Sequence, residues 1–214
     1  MKILKKSFFI MFTFFLVGCS KEKSNDEYVN IQDKLINMQS YSATVDVTFF
    51  SNKGENSYTM IQEARNDGKY YIETTAPEHL KGNIILYDGK MLWQYNPQLD
   101  KKISVGEKEK MARKQIDIFS FLENHLKSKD VALETANIEK SMYTILEAKI
   151  PGDDKYFSTE KLFINNETSA PEKLIIYDKE NKERVVAQYK NFIYNPKIED
   201  SKFNIENIAN SKEN

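Results

Sequence analysis

Few side chains in this sequence could act as nucleophiles or as acids and bases. The chain has one cysteine, Cys19, and two histidines, His79 and His125. A histidine can activate a serine in a Ser-His-Asp arrangement, but the G-x-S-x-G pattern that presents such a serine does not occur. His79 lies beside Pro77 in a predicted loop, and His125 lies near the end of a predicted helix. We therefore interpret both histidines as ordinary loop and helix-surface residues.

Paired carboxylates are the second kind of candidate. Asp153-Asp154 and Glu199-Asp200 are neighbours in the sequence, whereas glycosidases hold two carboxylates roughly 5–10 Å apart across a sugar. Both pairs are therefore interpreted as solvated turns. Metal-binding patterns of the H-E-x-x-H and C-x-x-C kinds are absent, and so is a glycine-rich phosphate loop. The sequence predicts no catalytic residue, no metal and no cofactor, and hence a protein that is not an enzyme.

Cys19 follows a segment with the layout of an export signal. Lysines precede an almost wholly apolar run over residues 8–17, which is shorter than the roughly 20 residues needed to span a bilayer. The run ends in Leu16-Val17-Gly18-Cys19, which resembles the lipobox of bacterial lipoproteins. That resemblance implies that residues 1–18 are removed and that Cys19 carries a diacylglycerol. Two acyl chains would anchor the protein stably to the outer face of the cytoplasmic membrane.

The charge balance also limits which classes of molecule the protein is expected to bind. Of 31 basic and 32 acidic side chains, the first 18 residues contain three lysines and no acid. The mature chain is therefore mildly negative, which argues against nucleic acid as a partner. With Cys19 acylated, the mature chain cannot form an internal disulfide, so the fold depends on its hydrophobic core.

Hydrophobic periodicity predicts a chain made mostly of strands. Period-2 alternation, as in Tyr41 to Phe49, is typical of half-buried antiparallel strands, and the Asp67-Gly68 and Asp88-Gly89 pairs are typical of hairpin turns. Helical spacing occurs twice, from Tyr28 to Met38 and from Glu107 to Lys127. The predicted strands are Tyr41–Phe49, Tyr58–Arg65, Tyr70–Thr75, Asn83–Tyr87, Lys90–Tyr95, Lys101–Val105, Val131–Thr135, Met142–Ile150, Tyr156–Asn165, Lys173–Tyr177 and Arg184–Tyr194.

A sheet with this many strands curls or closes instead of staying flat. We therefore predict an α+β fold that is mainly antiparallel β, a strongly curved sheet or incomplete barrel with two helices packed on its concave side. The predicted organisation is a signal peptide over residues 1–18, a polar tether over 19–27, a single domain over 28–208 and a polar tail over 209–214.

Aromatic side chains are plentiful in the predicted domain. Some of them could line an apolar cavity between the sheet and the helices, or could fill the same space as ordinary core. The sequence leaves both alternatives open for Phe49, Tyr70, Trp93, Tyr95, Phe119 and Phe121.

Three segments resemble the lipoprotein carriers of the LolA/LolB type. They are the aromatic hairpin from Tyr87 to Pro97, the run from Pro171 to Asp178, and the run from Tyr189 to Phe203. The resemblance covers most of the mature chain, and each motif is common in β proteins. It implies an open barrel with a helical lid over an apolar cavity. Carriers that shuttle are not themselves anchored, so a lipidated Cys19 departs from that pattern.

The lipobox, the composition rich in lysine and asparagine, and the strand order together resemble the GerS-type germination lipoproteins of spore-forming clostridia. This resemblance implies a non-catalytic partner of a cortex-processing N-acetylmuramoyl-L-alanine amidase, which forms muramic-δ-lactam. The zinc and the catalytic residues would then belong to the amidase. It also implies a location between the two membranes of the developing spore.

The sequence thus supports three hypotheses of different classes. The first is a lipid-anchored module that binds and supports a cell-wall amidase, and the second is a carrier or binder of lipid or lipoprotein acyl chains in an apolar cavity. The third is a surface-bound hydrolase that relies on His79 or His125. The open strand edges of such a barrel also allow a homodimer by edge pairing or strand exchange.

Overall fold

A computed structural model of the protein describes residues 21–105, 116–128 and 133–211. Within these ranges the chain forms eleven strands and three α-helices, with 3₁₀ turns at Glu78–Leu80 and Asp200–Phe203. The helices are α1 (Lys21–Ile36), α2 (Ile118–Lys127) and α3 (Ile205–Ser211). The strands are β1 (Ser40–Ser51), β2 (Gly54–Arg65), β3 (Tyr70–Ala76), β4 (Ile84–Tyr87), β5 (Leu92–Asn96), β6 (Lys101–Val105), β7 (Leu133–Ile138), β8 (Ser141–Lys149), β9 (Thr159–Asn165), β10 (Pro171–Tyr177) and β11 (Glu183–Tyr194).

The strands form a single antiparallel sheet in the order β6-β5-β4-β3-β2-β1-β11-β10-β9-β8-β7. Each strand pairs with its sequence neighbour except at the centre, where β1 pairs with β11. Tyr41 lies opposite Tyr194 and Phe49 lies opposite Val185 in that pair. The two halves of the chain are therefore two meanders joined by their first and last strands, and β6 and β7 form the outer edges.

The concave face carries the main core. Tyr41, Ala43, Val45 and Val47 alternate along β1 with less buried residues, as the period of a strand requires. They share one buried cluster with residues of α1 and α2. The predicted fold class, a curved and mainly antiparallel sheet with two helices on its concave side, is confirmed.

The convex face is covered differently in its two halves. Over β3–β5, the C-terminal segment places Phe203, Ile205 and Ile208 on a second apolar cluster. Over β7–β10, the apolar side chains are covered by long charged ones. Lys173 lies 5.1 Å from the centre of the Phe163 ring, and its neighbours include the Lys161–Glu147 ion pair at 3.2 Å. The methylene chains of these lysines cover apolar surface while their charged amino groups stay in water.

The helices differ from the sequence prediction in three places. The first helix begins at Lys21, not at Tyr28, so it runs into the segment predicted as a polar tether, where lysine and glutamate favour helix. The helix predicted from Glu107 to Lys127 is wrong as a continuous element, because Asp117 caps a new helix. Its part over residues 107–115 lies outside the described residues. The third helix, which ends at Ser211, was not predicted.

Candidate functional site

An apolar groove of about 730 Å³ lies on the concave side of β1–β6. Its walls are side chains that alternate with convex-facing ones, so neighbouring strands place apolar residues side by side. Ile116, at the start of the α2 region, and Phe157, in the β8–β9 loop, also line the groove. The volume is within the range of roughly 300–1,000 Å³ that is typical of small-molecule pockets. The apolar lining includes Phe49, Tyr58, Met60, Ile72, Leu80, Ile85, Leu99 and Ile103.

The polar part of the groove is made mostly of amides. Asn56, Asn83, Gln94 and Asn96 contribute to it, and Lys101 is the charged side chain among the described lining residues. A lining of this composition favours an uncharged or acidic ligand over a basic one.

Helix α2 is held to the sheet by a buried hydrogen-bond network at its N-terminus. Asp117 caps the helix, and its Oδ2 accepts hydrogen bonds from the Ser120 backbone N–H and hydroxyl, both at 3.1 Å. Its Oδ1 accepts from the Tyr41 hydroxyl of β1 at 2.7 Å. Burial raises the pKa of the Asp117 carboxyl, although the hydrogen bonds from Tyr41 and Ser120 act in the opposite direction. This carboxyl fixes the point where α2 begins.

A second buried carboxyl lies under the middle of the same helix. Glu160 of β9 is 1% exposed, and its Oε1 accepts a hydrogen bond from Asn124 Nδ2 at 2.8 Å. Burial, and more weakly the nearby Asp117, raise the pKa of Glu160 to about 7. Next to it, His125 Nδ1 lies 2.8 Å from the Glu147 carbonyl oxygen of β8. Helix α2 is thus attached to three strands by polar contacts.

The groove and this network meet at Ile116. Its carbonyl oxygen accepts hydrogen bonds from the Tyr189 hydroxyl at 2.6 Å and from Gln62 Nε2 at 3.4 Å. Gln62 is 1% exposed, and among the described residues its buried Oε1 has no hydrogen-bond partner. The position of α2 therefore sets one end of the groove.

The aromatic residues predicted as cavity or core do not form one site. Phe49 lines the groove and packs edge-on against Tyr58. Tyr70 and Phe121 are buried in the main core, and Phe119 packs against it beside Tyr41. Trp93 and Tyr95 belong instead to the apolar cluster over β3–β5, because alternation along β5 points them to the convex face. Part of Tyr95 also borders the groove. Trp93 donates a hydrogen bond to Asp88 there, at 3.0 Å.

The histidines and the acid pairs lie apart from the groove's apolar wall. His79 is exposed in the Glu78–Leu80 turn, and His125 stacks on Phe121 with 5.7 Å between ring centres. Asp153 forms an ion pair with Lys179. Asp200 forms ion pairs with Arg65 at 2.8 Å and with Lys69 at 3.2 Å. These acids form ion pairs that join distant segments of the chain.

Sequence reasoning missed the buried polar residues Gln62, Asp117 and Glu160. Two of them carried a usable signal, because Glu160 is in phase with Leu162 and Ile164 along β9, and Gln62 is in phase with Met60 along β2. A polar residue in phase with buried apolar ones is expected to be buried as well.

Within the described ranges, no three His, Cys, Asp or Glu side chains are grouped so that they could hold a metal ion. None of the described helices has the length and apolar character to cross a membrane. The predicted lipidation site, Cys19, lies outside the described residues and stays a prediction.

Several solved structures are similar to this chain. An uncharacterized conserved protein from Thermus thermophilus matches with a TM-score of 0.52 and 13% identity, over 85% of this chain and 93% of that one. A structure of the CwlD amidase from Clostridioides difficile in complex with the GerS lipoprotein matches with a TM-score of 0.49 and 28% identity, over 85% of this chain and 100% of that one. The LolA superfamily protein NE2245 from Nitrosomonas europaea matches with a TM-score of 0.43 and 14% identity, over 83% of this chain and 97% of that one.

No curated protein matches the sequence significantly. At the level of families, however, residues 1–203 match the model described as Sporulation protein YdcC-like. This match spans nearly the whole sequence, from the apolar N-terminal run to the segment that covers the convex face. The chain therefore belongs to the YdcC-like family of sporulation proteins.

Proposed function

We propose that this protein is a lipid-anchored, non-catalytic lipoprotein that binds and supports a cell-wall N-acetylmuramoyl-L-alanine amidase during sporulation. In this proposal the amidase forms the muramic-δ-lactam of the spore cortex that germination requires, and the zinc and the catalytic residues belong to the amidase. The observation that carries the proposal is the family match over residues 1–203. The resemblance of the sequence to GerS-type germination lipoproteins supports the choice of an amidase as the partner.

The environment of the buried acids supports a non-catalytic role. Asp117 and Glu160 have raised pKa values, which is often a property of catalytic acids. They are only 5% and 1% exposed, however, and both form hydrogen bonds that attach α2 to the sheet. A substrate cannot reach them in this arrangement, so we assign them a structural role.

The test uses the mature, membrane-anchored chain in detergent together with the purified amidase of the same organism. We expect a stable complex and an increased rate of cleavage of peptidoglycan by the amidase. The amidase alone and the amidase with an unrelated lipoprotein are the controls. If no complex forms and the cleavage rate does not change, the proposal is wrong.

The proposed anchor has its own test. Replacing Cys19 by serine removes the thiol that would carry the diacylglycerol, so we expect the protein to leave the membrane fraction. Ser20→Ala is the matched control and should not change the distribution. Mass spectrometry of the mature N-terminus should show the mass of the lipid on Cys19. A mature wild-type N-terminus without that mass would contradict lipid anchorage.

A second function is favoured by the groove itself. We propose as the alternative that it binds an acyl chain of a lipid or lipoprotein, because its volume of about 730 Å³ and its apolar wall suit such a chain. Native mass spectrometry and lipid extraction of the purified protein should then reveal a bound lipid. An empty groove after purification from its own membrane, with no uptake of added lipid, would exclude this alternative.

A further inference from the structure

The edge strand β6 has an unusual combination of features. It is the last strand on its side of the sheet, and among the described residues only β5 pairs with it. Its outer side therefore presents backbone N–H and C=O groups to which another extended segment can bond. The hairpin that ends in β6 also carries two of the most exposed large apolar side chains, Leu99 at 63% and Ile103 at 52%.

The side chains of β6 differ between its two faces. Ile103 lies opposite Gln94, and Lys101 lies opposite Asn96, so both belong to the groove side. Lys102 lies on the convex side, where its Nζ is 2.7 Å from Glu206 Oε2 of α3. A segment added along β6 would thus meet an apolar and a basic side chain at the rim of the groove.

The opposite edge, β7, lacks this combination. Ala136 and Ile138 pack against the apolar cluster of Ile145, Phe163 and Ile175 on the convex face, and Thr135 and Asn137 are polar and exposed. Glu134 lies 3.9 Å from Lys161. An added strand would find a polar surface there, so β7 offers less for a partner to bury.

We propose that β6 is the docking edge for an extended segment of the partner amidase, which adds a twelfth strand to the sheet. The segment places an apolar side chain against Ile103 and an acidic one near Lys101. This proposal rests on the proposed function, since it names the surface by which the amidase is bound. Strand addition of this kind takes its affinity from main-chain hydrogen bonds and its specificity from alternate side chains.

Charge favours a different protein over a second copy of this chain. An antiparallel pair of β6 strands centred near Lys101 would place the lysines of both copies next to each other, and lysines on an edge strand discourage such pairing. An acidic residue of a partner instead gains from Lys101, while the groove lining offers no acid among its described residues to repel it.

The experiment compares two substitutions of isoleucines with nearly equal exposure. Ile103→Asp places a charge on β6, and Ile193→Asp places the same charge at a residue that is 54% exposed on the convex side of the central strand β11. Binding of the purified amidase to the full mature chain is measured in detergent. We expect Ile103→Asp to weaken binding by about tenfold or more and Ile193→Asp to change it less than about twofold.

Hydrogen exchange of the wild-type complex gives an independent measurement that needs no substitution. Amides of residues 101–105 should exchange more slowly when the amidase is bound, and those of residues 133–138 should not change. Lys101→Glu should weaken binding, by about fivefold at low salt and less at high salt, because an exposed ion pair is screened. If Ile103→Asp does not fold, these two measurements still test whether β6 is the docking edge.

The outcomes separate the two proposals. Weaker binding on changing β6, together with protection of β6, supports the docking edge. A complex that is insensitive to both β6 substitutions, or that protects other strands only, overturns the docking edge and leaves the proposed function standing. Protection of β6 that increases with the concentration of this chain alone identifies a second copy as the occupant and also overturns it. If no complex forms and the cleavage rate of the amidase does not change, both proposals are wrong.

Discussion

The two parts of the concave face follow the same alternating pattern and yet have different surroundings. Over β8 and β9, helix α2 covers the sheet and is attached to it by Asp117, Asn124 and His125. Over β2–β6, the corresponding side chains form the wall of an open groove. An alternating strand therefore determines which side chains share a face, whereas the tertiary cover determines whether they become core or a binding surface.

The largest expected contrast is between two phenylalanines. Phe121 in α2 is fully buried, whereas Phe49 is half-buried in the groove wall. We expect Phe121→Ala to lower the free energy of unfolding by about 3–5 kcal/mol, because it leaves a cavity in packed core. Phe49→Ala should lower it by about 1 kcal/mol. Urea unfolding of both variants measures the difference, and equal losses would show that the groove wall is core.

The second contrast is in pH dependence. The pKa of Glu160 is about 7 in the folded protein against an ordinary value of 4.5, so the folded state binds more protons between these pH values. Stability therefore falls as pH rises from about 4.5 through 7, by roughly 3 kcal/mol from this group. Glu160→Gln keeps an acceptor for Asn124 and should flatten that part of the pH profile. An unchanged slope between pH 5 and 8 in the variant would contradict this assignment.

The smallest contrast compares two tyrosine hydroxyls. Tyr41→Phe removes a hydrogen bond to the buried Asp117, so we expect a loss of about 2 kcal/mol in unfolding free energy. Tyr58→Phe in the groove wall should change it by no more than about 0.5 kcal/mol. Thermal and urea unfolding of the pair give the comparison. A similar loss in both would mean that the groove wall is as tightly organised as the region under α2.

The strands could be predicted from the sequence because their signals are local. Alternation and the Asp-Gly turns located all of them, and Gly68 and Gly89 do have positive φ angles, of 87° and 96°. Helix boundaries were less predictable. The apolar spacing before and after Asp117 is continuous, so periodicity alone did not mark Asp117 as the cap, although its hydrogen bond from the Ser120 N–H is local.

The candidate site was less predictable than the fold. The six aromatic residues could be named from the sequence, but the register of β5 against β4 and β6 sends Trp93 to the other face. The groove depends on where α2 begins, and the network that holds α2 joins β1, β8, β9 and β11. Contacts between residues so far apart in the chain leave no mark on local periodicity.

The pairing of β1 with β11 has a consequence for the order of folding. During synthesis the chain completes Tyr41 long before its partner Tyr194 exists. The hairpins on either side can form as soon as their strands are synthesised, but the β1–β11 pair can form only after the last strand is complete. Contacts with such large sequence separation slow folding, and until they form, β1 is an unpaired edge with apolar residues on one face. The nascent chain is therefore most prone to aggregation through the strand that later lies at the centre of the finished sheet.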